Sequence, residues 1–322
     1  MTTTAPGPGH SPAQERPTRP PRSGRRPLTL RRRESRAGLA LVAPTLLVVL
    51  AVVGVPTVWT VLLAFQRVRL ATLRKTGLFG EFTLDNLDRV VHTPGFAGTL
   101  GTTVLYSLGG TTGSILIGLV AALVVRRPFR GRTLVRASML LPYVAPVVAV
   151  AFVWQVMLDP QLGIVNDWGQ RFLGWDAPIP FLSQDSTALW TVIAFEAWRY
   201  FPFAFLFLLA RLQAVPGELE EAARVDGATP TQRFRHILLP QLMPVIALLW
   251  VLRFIMTFNK FDDVYLLTGG AAGTEVVSVR VYQFLTARTD VGAAAAQAVV
   301  LAVVLLAFVA LYLRFFAGRR DT

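Results

Sequence analysis

The sequence predicts an all-α, polytopic membrane protein with six transmembrane helices, and three observations carry that reading. Apolar residues make up 53% of the 322 positions and charged residues only 16%, whereas a soluble domain carries about a quarter charged residues. Six apolar stretches, at about 37–65, 97–125, 137–158, 188–210, 241–266 and 292–316, each reach the roughly twenty residues that a helix needs to cross a bilayer. Basic residues are also unevenly divided: twenty-one arginines fall on the side of both termini and of the 211–240 connection, against eight Arg or Lys on the other. The positive-inside rule therefore places both termini and that connection in the cytoplasm.

Taken in order, residues 1–36 hold nine arginines and two glutamates among many Pro, Thr and Ser, without apolar periodicity. They read as a disordered basic cytoplasmic tail. Because the tail runs straight into an apolar stretch, its arginines anchor a membrane helix end, and no nucleic-acid partner is expected. That stretch is too long, and lacks the small-residue cleavage site, for a signal peptide. Residues 37–316 form the six-helix domain, and 317–322 a short cytoplasmic tail. On the outer side, 159–187 is acidic, with Asp159, Asp167, Asp176 and Asp185 against Arg171, and neither it nor the outer segment 66–96 carries a catalytic constellation. Pro142 and Pro146 in the third span and Pro202 in the fourth are expected to kink their helices. There is no cysteine, and His10, His92 and His236 form no pair at metal-ligand spacing, so thiol chemistry and a resident metal site are not expected.

The polar stretch 211–240 organises the rest. Glu218 to Arg224 is made of strong helix formers, with Pro216 suited to the first turn and Gly227 placed to end the helix. A second helix start follows: Thr229 can cap, Pro230 fits the first helical position, and Gln232 sits where a capping box places its reciprocal partner. The reading is helix, glycine turn, helix, with acidic residues favourably placed at the first helix's N-terminal end.

Glu221-Ala-Ala-x-x-Asp226-Gly227-Ala228, followed by Phe234 and Leu238-Leu-Pro240, resembles the EAA loop of binding-protein-dependent ABC importer permeases. The resemblance implies the type I ABC importer permease fold, and a loop that seats as a coupling helix in a cleft of a cytoplasmic ATPase. By matching position, that contact would fall to Glu221, Ala222, Asp226 and Gly227. Further residues support it. Phe195-Glu-Ala-Trp198-Arg199-Tyr-Phe-Pro202-Phe203 is similar to a family pattern, and Phe261-Asp262 with Thr268-x-Gly270 resembles the signature of the carbohydrate-uptake branch, in its maltose-permease-like or glycerol-phosphate-permease-like first subunit. Ala271 stands where that branch commonly has proline.

Charges inside a span are costly and mark function. Glu196 and Arg199 are three apart, close enough to pair on one helix face, while Arg253, Thr257 and Lys260 follow one face of the fifth span. Carried over from the maltose permease, the substrate pathway would hold Glu196, Arg199, Tyr200, Phe203, Arg253, Met256, Thr257 and Lys260, a polar cavity with aromatic faces suited to sugar rings. No G-x-x-x-x-G-K-[ST] phosphate loop occurs, so the chain is expected not to be an enzyme and to carry no cofactor. ATP and Mg would bind a partner ATPase. The resemblance implies as partners a second permease subunit, two ATPase subunits and an extracytoplasmic solute-binding protein, within the lipid of a bacterial inner membrane. Two alternatives remain open: an ion-coupled secondary transporter, and an ABC importer of a non-sugar solute such as a glycerol-phosphate ester.

Overall fold

The structure is a computed structural model that describes residues 2–3, 41–76 and 80–317. The tail expected at 1–36 lies outside the described residues except for Thr2 and Thr3, as does 318–322. Two compact units are distinguished, Met1–Pro56 and Thr57–Thr322.

The first long helix is α1, Leu41–Ala64. Pro56 has no N–H, and its ring would press on the carbonyl of Val52 four residues back. A π-helical turn over Leu50–Gly54 widens the helix at that point, with the Val55 N–H donating to Leu50 O, five residues back. Leu41, Leu47 and Val52 are 81%, 68% and 67% exposed, a surface suited to lipid or to another protein.

Beyond the short helical turns over Leu70–Thr72 and Leu73–Thr76, the helices among the described residues are α2 (Asp85–His92), α3 (Phe96–Val125), α4 (Arg132–Val144), α5 (Val147–Met157), α6 (Ile164–Phe172), α7 (Ala188–Gln213), α8 (Gly217–Val225), α9 (Pro230–Phe258), α10 (Asp262–Thr268), α11 (Val277–Thr286) and α12 (Val291–Ala317). Among the described residues, β pairing is limited to the isolated bridges Gln66 to Phe82 and Arg69 to Asp290. Among the described residues, five helices (α1, α3, α7, α9 and α12) are long and apolar enough to span a membrane.

Two expected spans take a different form. The third is not kinked but broken: α4 and α5 meet at 95°. Ala145, held extended at ψ 143° by the proline that follows it, cannot continue the helix, and Pro146 lacks the N–H that would have bonded Pro142 O. The fifth span was expected over 241–266, after a separate loop helix. Instead the helix begins at Pro230 and ends at Phe258, so the loop's second helix is the first turns of the span. Pro240 would clash with the carbonyl of His236, and again a π-helical turn, Phe234–Leu238, relieves it, with Leu239 N–H donating to Phe234 O.

The centre of the fold is the pairing of α3 with α7. A Cβ built on Gly113 would lie 2.8 Å from the Ala197 Cβ, and one on Gly118 would lie 2.8 Å from the Phe205 nitrogen. The small residues thus let the two backbones approach closely. Ala122, Ala204, Leu208 and Leu242 pack without exposure where α3, α7 and α9 meet. On the opposite end, Asn166 pins α6 by donating to Asp159 O and Ile179 O and accepting from the Ile179 N–H at 2.7 Å. In the loop after α10, the Ala271 N–H donates to Thr268 O at 3.0 Å. A proline, which the carbohydrate branch commonly has there, could not make that bond.

Candidate functional site: a buried polar cluster and an exposed loop

On α7, Glu196 lies between the buried apolar residues Phe195 and Ala197, a setting in which a carboxylate needs partners. It has none of its surface exposed and accepts from Arg253 Nη2 at 2.5 Å, Thr257 Oγ1 at 2.8 Å and the Tyr106 hydroxyl at 3.2 Å. Gly110 makes room for it, since a Cβ there would lie 2.5 Å from Glu196 Cγ. Arg253 also donates to Thr257 at 3.1 Å. Its guanidinium lies 4.4 Å from the centre of the Tyr200 ring, and Lys260 Nζ lies 4.6 Å from the same centre, both within cation–π range.

Glu196 and Arg199, close enough in spacing to pair, take different partners. Arg199 turns to the break between α4 and α5, where its Nη1 donates to Pro142 O at 3.5 Å and its Nη2 to Ala145 O at 3.2 Å. Pro146 leaves Pro142 O without its helical donor, and the guanidinium supplies one. The carboxylate facing Arg199 is that of Asp263 on α10, at 3.9 Å and fully buried. Glu196 takes its hydrogen bonds from α9 and α3, and Asp263 stands beside it as a second buried acid.

Of the eight residues expected along a pathway, Glu196, Arg199, Tyr200, Arg253, Thr257 and Lys260 form this one network. Phe203 stands beyond it, with ring centres 6.3 Å from Tyr143 and 5.0 Å from Phe207. Met256 faces outward, 41% exposed. Tyr106 and Asp263 belong to the network and were missed by sequence reasoning. Each left a signal: a phenol inside the second apolar stretch, and a second carboxylate inside the fifth.

The loop is built from local rules. Pro216 caps α8 rather than entering its first turn, and Gly217 begins the helix. At the other end Gly227 takes φ +80°. Its N–H donates to Arg224 O at 3.1 Å, and that of Ala228 to Ala223 O at 2.8 Å, the paired bonds of a Schellman motif. The capping box at α9 is complete: Gln232 N–H donates to Thr229 Oγ1 at 3.3 Å, and Thr229 N–H to Gln232 Oε1 at 2.8 Å. Glu220 pairs with Arg126 at 2.5 Å and so ties α8 to the end of α3. Glu221, Ala222, Asp226 and Gly227 are all exposed, and Val225 beside them is 88% exposed. The loop therefore presents acidic and apolar groups on a fixed backbone.

Residues 114–320 match the model of the family described as binding-protein-dependent transport system inner membrane component. The chain is 38% identical over 275 residues to the inner membrane ABC transporter permease protein YcjO of Escherichia coli, covering 85% of this chain and 92% of that protein. It is 32% identical over 293 residues to the trehalose/maltose transport system permease protein MalF of Thermococcus litoralis, covering 91% and 97%. In fold it is similar to a chain of a bacterial alginate ABC transporter crystallised with an alginate pentasaccharide-bound periplasmic protein, at a TM-score of 0.76 and 24% identity, covering 90% of this chain and 96% of that one.

Proposed function

The chain belongs to the family of binding-protein-dependent transport system inner membrane components, and from that premise we propose that it imports a sugar or related polar solute as one half of a permease heterodimer. It is an integral inner-membrane transport subunit and not an enzyme, and ATP hydrolysis belongs to a separate subunit. In this reading two ATPase subunits bind ATP and Mg²⁺, an extracytoplasmic solute-binding protein delivers the solute, and both termini and the 211–240 loop face the cytoplasm. The ion-coupled alternative falls away with the family membership.

The observation that carries the reading is the loop. Glu221, Ala222, Asp226 and Gly227 are exposed on a helix stopped at both ends, so a partner that grips them moves α8 as a body. The Glu220 to Arg126 pair and the continuity of the loop with α9 would pass that movement into the membrane. The buried cluster is then the solute's contact region. Arg253 is paired with Glu196, Arg199 faces Asp263, and Lys260 lies 3.3 Å from Asp262. Tyr200 and Thr257 suit the faces and hydroxyls of a sugar ring. The trehalose/maltose relative fits this choice.

Reconstitution of the full complex tests the reading. Glu221→Lys and Gly227→Pro should leave the chain inserted and assembled with its permease partner, yet abolish ATP-driven uptake of a disaccharide presented with its binding protein. Normal uptake in both variants would remove the coupling role from this loop.

A further inference from the structure

A cavity of about 290 Å³ lies where the end of α3, the coupling helix α8 and the first turns of α9 come together. Its polar lining is three guanidinium groups, Arg126, Arg127 and Arg233, with Glu220 as the single acid. Its apolar lining includes Leu123, Phe234 and Leu238. Glu220 is already committed to Arg126 at 2.5 Å, which leaves Arg127 and Arg233 unmatched in the cavity. Arg233 is the more telling of the two. Its Nε and Nη1 are shielded from solvent and have no hydrogen-bond partner, a state that costs free energy unless an acceptor from outside the chain completes it. An arginine can offer two parallel N–H groups to a phosphate.

We propose that this cavity binds the phosphate group of an anionic lipid from the leaflet on the loop's side of the membrane. The mixed lining favours a lipid over a free anion, because an apolar wall beside paired guanidinium groups matches a headgroup with its acyl chains. The adjoining surface of α3 is apolar as well, with Val120 and Val124 exposed at 61% and 64%. Basic pockets between membrane helices on the cytoplasmic side are suited to such headgroups. The site also touches the transmission path, since the Arg126 to Glu220 pair that ties α8 to α3 forms part of its wall. A bound phosphate beside that pair holds α8 against the membrane body, so lipid composition would set how firmly the coupling helix is seated. This goes beyond the transport reading and does not depend on the solute.

The test is native mass spectrometry of the intact transporter complex, stripped of lipid and titrated with phosphatidylglycerol, with phosphatidylethanolamine and with inorganic phosphate. Wild type should retain phosphatidylglycerol in preference to phosphatidylethanolamine. The double variant Arg127→Gln/Arg233→Gln should bind it about twenty-five-fold more weakly, at about fivefold per guanidinium. Arg127→Lys/Arg233→Lys should keep most of the binding, which separates charge loss from misfolding. If inorganic phosphate displaces the lipid at equal concentration, the phosphate chemistry stands and the lipid source is wrong. If the glutamine variant binds phosphatidylglycerol as well as wild type does, the site is overturned. If that variant instead sheds the ATPase while its lipid binding is unchanged, the two nitrogens serve a partner's carboxylate and the proposal also fails.

Discussion

On α7, Glu196 is buried and takes three hydrogen bonds, from α3 and α9, whereas on α8 Glu221 stands exposed on a surface. Around Glu196 the charges meet one another within the chain, and the network closes the break between α4 and α5. Around Glu221 the charges are open and the backbone is held by caps. The difference teaches where each region's energy comes from. The cluster depends on tertiary pairing, and removing one member leaves a buried charge. The loop depends on local hydrogen bonds, and its side chains are free to meet something else. The cluster should therefore fail by losing the fold, and the loop by losing transmission alone.

The largest expected effect lies at the cluster. Glu196→Leu leaves Arg253, only 1% exposed, without a carboxylate, and breaking a buried pair from one side costs about 3–5 kcal/mol. The thermal midpoint of the detergent-purified chain should fall sharply. The double variant Glu196→Leu/Arg253→Met removes both charges and should recover most of the loss, because apolar replacement of a buried ion pair is close to neutral. A double variant as unstable as the single would show that the network, and not the charge left behind, holds α7 to α9.

A pair of glycines sharpens the same contrast at a smaller scale. At Gly118 an added methyl would meet backbone atoms, the Phe205 nitrogen at 2.8 Å and the Phe201 oxygen at 2.9 Å, and neither can swing aside. Gly118→Ala should cost about 1–3 kcal/mol through forced separation of α3 from α7. At Gly227 there is nothing within 4 Å of the added methyl, but φ is +80°. Gly227→Ala should cost about 1–2 kcal/mol of local backbone strain, confined to the turn. Circular dichroism melts should therefore show a lower midpoint for Gly118→Ala than for Gly227→Ala. Equal midpoints would mean that the α3 and α7 contact is softer than its geometry implies.

Both results bear on how much of the molecule could be read from its residues. The loop was legible because its determinants are neighbours in sequence: Thr229 with Gln232, and Gly227 after a run of helix formers. Pro216 fell one position outside the helix it was expected to start, and the loop's continuation into α9 was missed, since a π-helical turn that accommodates Pro240 leaves no composition signal. The apolar stretches located the spans from hydropathy, but not the break in the third or the start of the fifth at Pro230. Partnership inside the membrane was not, because spacing placed Glu196 and Arg199 within reach of each other without saying what else competes for them. The carbonyls freed at Pro142 and Ala145 claim Arg199, and they exist only because the third span breaks at Pro146. A proline was visible in the sequence, but its consequence for a residue on another helix was not.

The smallest effect tests the outer edge of the comparison, where a charge is exposed yet locally bonded. Asp159, after α5, accepts from the backbone N–H groups of Gln161 and Leu162, each at 2.8 Å. Those two bonds, with Leu162 the larger influence, hold its carboxyl below its ordinary value of 3.8. A depressed carboxyl stabilises the folded turn above its ordinary value, and the benefit is lost as pH falls through the folded value. Wild type should therefore be slightly more stable than Asp159→Asn above pH ~5, and the difference should close as the pH drops below 3.8. Thermal melts of the two proteins across that range provide the check. A gap that stays constant with pH would assign the benefit to hydrogen-bond geometry, which asparagine only partly reproduces, and not to the charge.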